Sequence, residues 1–210
     1  MRSLIPHAAP YVAYVALGAA AGVCPWADGV RVAVVAAMLL LLTRNGSYPE
    51  LSARPSAAHV ALGVAAGVVV GFAWVPLANL VPMTSESART ALDPSASLLR
   101  TTFRLASMVL VAPLAEELFV RSLVPRFVES GCSDEWRSRP VGAFTWTSAA
   151  FSVALFAIGH PEWLAALVTG VLWTALLWKT RNLRVVIVSH VVANALLAGR
   201  VLVTGETRWW

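Results

Sequence analysis

Residues 59–81 contain no Asp, Glu, Lys or Arg, and the run is long enough to cross a bilayer as a helix. Six further apolar runs flank it, at 11–23, 30–42, 98–128, 144–159, 162–178 and 185–203. Turn residues separate them: Pro25 and Asp28-Gly29, the stretch 44–49, the polar loop 129–140, His160-Pro161, and Lys179 to Asn182. A longer polar connection fills 82–97. The whole chain is 58% hydrophobic and only 13% charged, against about 25% charged in soluble domains. These features define an all-α fold: a polytopic transmembrane helical bundle of about seven (six to eight) membrane helices. It is expected to be one integral membrane domain over 1–210, with N-terminal helices in 1–97 and a core in 98–200 that holds the polar motifs.

The first run imitates a signal peptide, and 21–24 resembles a lipoprotein cleavage box, but Val23 is the wrong size before Cys24. It reads as a first transmembrane helix. The net charge of +5 is spread over short connections instead of one face, which excludes nucleic acid and suits lipid headgroups and topology. The larger share of Lys and Arg falls on the N-terminal side of the bundle, which puts the N-terminus in the cytoplasm. Cys24 and Cys132 are too few for a disulfide framework, and neither has a metal-binding neighbour. Gly63, Gly67 and Gly71 recur at four-residue spacing, the pattern that lets helices approach closely in lipid.

Charge inside such helices is costly, about 2.5–3.5 kcal/mol each even on lenient insertion scales. Glu116, Glu117 and Arg121 carry it in the central run, just after Pro113. Glu117 and Arg121 stand four apart, share a helical face and read as a structural ion pair. Glu116 is turned about 100° away and has no basic partner along the helix. Pro113 frees a backbone carbonyl and bends the helix, which suits an opening onto a water-filled cavity.

Two more polar pairs interrupt apolar helices. Phe156 and His160 are four apart, as are His190 and Asn194. Each pair alone is explained by local hydrogen bonding between helices. Together with Glu116 they form a set from three segments. A carboxylate and an imidazole can hold and deprotonate water. An imidazole N–H and a carboxamide can donate to a developing oxyanion. Ser189 adjoins His190 but faces another way, so no nucleophile is found beside a base. The chemistry indicated is attack of activated water on a carbonyl without a covalent intermediate.

The ordered motifs Glu-Glu-x-x-x-Arg (116 to 121), Phe-x-x-x-His (156 to 160) and His-x-x-x-Asn (190 to 194) resemble the signature of the CPBP intramembrane proteases. These are glutamic-type relatives of the type II CAAX prenyl endopeptidases. The resemblance implies that Glu116 is the base with His160 as its partner, and that His190 and Asn194 form the oxyanion site. Glu117, Arg121 and Phe156 would support them, with no metal and no cofactor. The stretches 142–146, 160–165 and 204–210 are similar to a narrower branch associated with exosortase-type C-terminal sorting, myxosortase-like enzymes included. That branch implies a bacterial inner membrane and a protein substrate bearing a short C-terminal hydrophobic or sorting segment.

Other readings stay open on the residues alone. Glu116, His160 and His190 could ligate zinc, although no His-Glu-x-x-His is present. A proton-coupled transporter would use the same groups but predicts repeat symmetry between halves, and all the polar motifs lie after residue 110. A non-catalytic scaffold would tolerate loss of Glu116.

Overall fold

The computed structural model describes residues 4–19, 26–81, 98–206 and 209. The 21–24 box, the connection 82–97, and Thr207, Arg208 and Trp210 of the tail lie outside the described residues. The described residues form an all-helical membrane bundle: α1 (Ile5–Ala19), α2 (Ala27–Arg44), α3 (Ala57–Ala78), α4 (98–129), α5 (Trp146–Ile158), α6 (Trp163–Thr180) and α7 (Leu183–Thr204). Helices α3, α6 and α7 are each long and apolar enough to span a membrane.

Local chemistry sets the helix ends. The Ser56 hydroxyl accepts from His59 N–H at the start of α3. Thr145 and Ser148 make a reciprocal capping box on α5, joined by Glu129, which accepts from Thr145 N–H at 2.6 Å. Asn182 caps α7, and Gly205, at φ 71°, ends it in the left-handed conformation. Helix α2 begins before its apolar run because Asp28 does not break it. The carboxylate lies in the first turn, where the helix dipole favours it, and it is buried against Arg31.

Helix α4 is central, touching α1, α2, α5 and α7. It is not regular. Two π turns, at Ser107–Val111 and Glu117–Leu123, each run into a proline. Ala112 N–H donates five residues back to Ser107, so the next carbonyl in that register, Met108, faces Pro113, which has no N–H. Asn194 from α7 supplies the missing donor, its Nδ2 bonding the Met108 carbonyl at 2.8 Å. The second turn repeats the arrangement. Val124 N–H reaches Phe119, Pro125 cannot serve Val120, and the Ser152 hydroxyl of α5 donates to the Val120 carbonyl at 2.7 Å. In α1, Pro10 likewise leaves the Pro6 carbonyl to the Tyr48 hydroxyl at 2.6 Å. Each proline thereby turns a helix's own carbonyl into a docking point for another element.

The glycine stripe of α3 packs on α7. A Cβ on Gly63 would stand 2.8 Å from the Val185 carbonyl, and one on Gly67 would strike the Ser189 carbonyl and Val192. Gly67→Ala must therefore push α7 away next to His190. The expected cost is about 1–3 kcal/mol, read as a lower thermal unfolding midpoint in detergent together with reduced activity. An unchanged midpoint would mean that α7 yields freely there.

A buried polar knot ties the N-terminal helices to the end of α4. Oε1 of Glu50, in the turn before α3, accepts from His7 at 2.7 Å, from Arg126 at 2.9 Å and from the Ser122 hydroxyl. Trp136 and Tyr48 close on His7 edge-on. Burial alone would raise the Glu50 carboxyl, but its bond and charge contact with His7, then Arg126 and Ser122, hold it down at about 2. The unfolded carboxyl titrates near 4.5, so the ionised form stabilises the fold above that pH. Stability is expected to fall by about 3 kcal/mol as pH drops from 4.5 to about 2. Unfolding midpoints measured across that window check this, and Glu50→Gln should flatten the slope.

Candidate active site

The polar groups of three helices meet in one cavity of about 170 Å³. Glu116 enters it from α4, His160 from the turn after α5, and His190 and Asn194 from α7. The aromatic rings of Phe156, Trp74 and Trp173 complete the wall. All four residues expected to carry the chemistry are thus brought together.

Their orientations follow from what each one bonds. His160 Nδ1 lies 2.7 Å from the Phe156 carbonyl, which can only accept, so Nδ1 carries the proton and Nε2 presents a lone pair. The ring rests against Phe156 at 4.5 Å between centroids and against Trp74 at 5.7 Å. Glu116 is half-buried, and its Oε2 has no hydrogen-bond partner. Buried carboxylate oxygens without a donor are unusual in a settled core. Asn194 spends one of its two amide hydrogens on Met108, leaving the second.

Glu117 does more than pair with Arg121. It is fully buried, with Arg121 Nε 3.4 Å from Oε2, while His190 Nδ1–H donates to Oε1 at 2.9 Å. An imidazole held at Nδ1 by a carboxylate turns Nε2 outward, an arrangement familiar from catalytic histidines. The Arg121 guanidinium lies over the Phe156 ring at 4.1 Å and over Trp173 at 5.5 Å. Trp173 lies against His190, with ring centroids 4.3 Å apart and planes tilted by 35°, and donates its N–H to Ser189 Oγ at 2.9 Å. Ser189 is therefore turned away and engaged. Arg121, Glu117, Phe156 and Trp173 form one buried brace behind His190.

Several cavity residues were missed in the sequence. Glu162, two positions after His160 and 3% exposed, lines the cavity, as do Tyr14, Arg31 and Arg104. The signal for Arg31 was available: Asp28 and Arg31 stand three apart in an otherwise apolar helix. Nothing local pointed to Arg104. Among the described residues, no three His, Cys, Asp or Glu side chains converge as a metal-ligand set.

An apolar helical bundle that turns a carboxylate, two imidazoles and a carboxamide into one internal cavity has the make-up of a membrane-embedded hydrolase. Residues 98–196 match the family model described as type II CAAX prenyl endopeptidase Rce1-like, which makes this segment an Rce1-like domain. The match opens at the start of α4 and closes just after Asn194, so it encloses all four cavity groups. No curated protein and no solved structure matches the chain. The protein is a peptide hydrolase, an intramembrane protease in the general sense.

Proposed function

We propose that the protein is an endopeptidase that hydrolyses a peptide bond near the C-terminus of a membrane-associated or tail-anchored protein. Water lies between Glu116 and His160 Nε2. Glu116 takes one proton as the oxygen attacks the carbonyl carbon, and His160 orients the other. The oxyanion receives hydrogen bonds from the free N–H of Asn194 and from His190, whose Nδ1 faces the Glu117 carboxylate. Collapse of the tetrahedral intermediate breaks the C–N bond, and the proton held by Glu116 passes to the leaving amine. No covalent enzyme intermediate and no cofactor enter the cycle.

The observation that carries this reading is the convergence of Glu116, His160, His190 and Asn194 on one cavity, with Oε2 of Glu116 unpartnered. The motif resemblance of 142–146 and 160–165 supports a bacterial cytoplasmic membrane and a substrate with a hydrophobic C-terminal sorting tail, presented from the lipid bilayer. The test is cleavage of a C-terminally anchored substrate by native protein and Glu116→Gln. Normal cleavage by the variant would overturn the mechanism.

A further inference from the structure

One residue of the cavity wall comes from beyond the last helix. Gly205, at φ 71°, ends α7 in the left-handed conformation, and Trp209 then lines the cavity. The indole is 3% exposed. It joins a buried apolar cluster with Val75 and Ala78 of α3, Ala165 of α6, and Leu197 and Val201 of α7. Trp74 and Met108 pack against that cluster, and both line the cavity, as Leu197 does. Leu197 lies three positions after Asn194 on α7, so the two share a face. The indole therefore fills an apolar recess that adjoins Asn194.

The space left beside it is small. The cavity of about 170 Å³ falls well below the roughly 300–1,000 Å³ of pockets that hold small ligands. A peptide that brings its scissile bond to Glu116 needs more room, so part of the wall has to move. The other wall residues sit on packed helices or, like His160 and Glu162, in the short turn between α5 and α6. Trp209 follows a glycine hinge instead.

The bonds around the indole suit such a movement. Trp209 donates its backbone N–H to the Glu206 carbonyl and its indole N–H to Glu206 Oε2, each at 3.3 Å. Both bonds lie within the segment and can travel with it. Arg200 of α7 holds Glu206 at 2.8 Å, but both side chains are well exposed, and such a pair holds weakly. A tryptophan's grip on a recess comes chiefly from buried apolar area. Another apolar side chain of similar size takes the same area and replaces that grip.

Resting on the endopeptidase reading above, we propose that the recess under Trp209 is the subsite for a large apolar side chain beside the scissile bond, and that the indole occupies it until substrate displaces it. Trp209 is then an autoinhibitory contact that also filters substrates. A substrate shifts the indole only by as much as its own side chain gains in the recess. Small or charged side chains at that position leave the cavity shut.

The experiment uses the full chain in phosphatidylcholine and phosphatidylglycerol vesicles. The probe is a library of membrane-anchored peptides, each with a randomised stretch ahead of one hydrophobic helix, and Glu116→Gln is the background. Trp209→Ala should raise kcat/KM about tenfold, the gain lying in KM, because a competitor for the recess is gone. Trp209→Phe should stay near the native value. Peptides cut by native protein should carry a large apolar residue at one fixed position beside the cut, and Trp209→Ala should relax that preference. Where Trp209→Ala does not fold, fluorine NMR of fluorotryptophan-labelled Glu116→Gln decides, with the Trp209 signal assigned by its loss in Trp209→Phe. Saturation with a peptide that the native protein cuts should move that signal to the position of an exposed indole. An unmoved signal overturns the proposal. So does Glu116-dependent cleavage that is unchanged in Trp209→Ala, or that falls with it, since the indole is then a fixed part of the wall; the protease reading stands in both cases. Absence of any Glu116-dependent cleavage, in native protein and in Trp209→Ala alike, overturns both readings together.

Discussion

Glu116→Gln is expected to lower kcat by about 10²–10⁴-fold, the usual contribution of a positioned general base. KM and the unfolding midpoint should hardly move. The reasons lie in the surroundings of the side chain. Glutamine keeps the shape and an acceptor oxygen but cannot take a proton from water at neutral pH. Among the described residues Glu116 makes no ion pair, its Oε2 is unpartnered, and it faces a cavity, so the fold depends little on its charge. Glu117→Gln is the informative contrast. That carboxylate is fully buried and accepts from His190 while facing Arg121, so neutralising it leaves a guanidinium uncompensated and loosens His190. Both activity and midpoint should fall together there. A Glu116→Gln protein that cleaves at the native rate would remove the water-activating role. One that unfolds would show that Glu116 is structural.

The motifs that meet in the cavity were legible because each is a short spacing. His190 and Asn194, four apart within α7, share a face whatever the tertiary fold, whereas His160 lies in the turn after α5 and is placed by the Phe156 carbonyl instead of by a shared helical face. The apolar runs likewise located the helices of the described residues, since hydropathy survives any packing arrangement. What the sequence concealed depends on contacts between distant segments. The run at 11–23 understates α1, which begins at Ile5, because His7 is buried by Tyr48, Glu50 and Trp136 instead of by its own hydrophobicity. Asp28 read as a helix breaker, and only its pairing with Arg31 and Arg104 explains why it lies inside α2. Pro113 announced a disturbance in α4. The π turns, and the capture of Met108 by Asn194, needed the register of α7 against α4. Glu117 and Arg121 were paired from their spacing, yet the contact that gives Glu117 a place in the site comes from His190 on another helix.

Arg121→Met is expected to be the most destabilising single change in the protein. The guanidinium is fully buried, and the carboxylate it faces, Glu117, is equally buried. Removing one partner of such a pair strands the other charge, at a cost of about 3–5 kcal/mol. Loss of the cation–π contact over Phe156 adds to this. Methionine roughly keeps the apolar volume, so little of the effect would come from a void. The expected result is a large drop in the detergent unfolding midpoint and loss of activity. The double variant Glu117→Gln/Arg121→Met separates charge from packing. With both charges gone, the glutamine can still accept from His190, and replacing a buried pair by neutral groups is often close to neutral. The double variant should therefore recover most of the lost midpoint, a coupling that a double-mutant cycle measures directly. Simple additivity of the two losses would mean that Arg121 acts by packing between Phe156 and Trp173, and that Glu117 needs no counter-charge. Recovered stability with activity still lost would instead show that a charged Glu117 behind His190 is required for the chemistry itself.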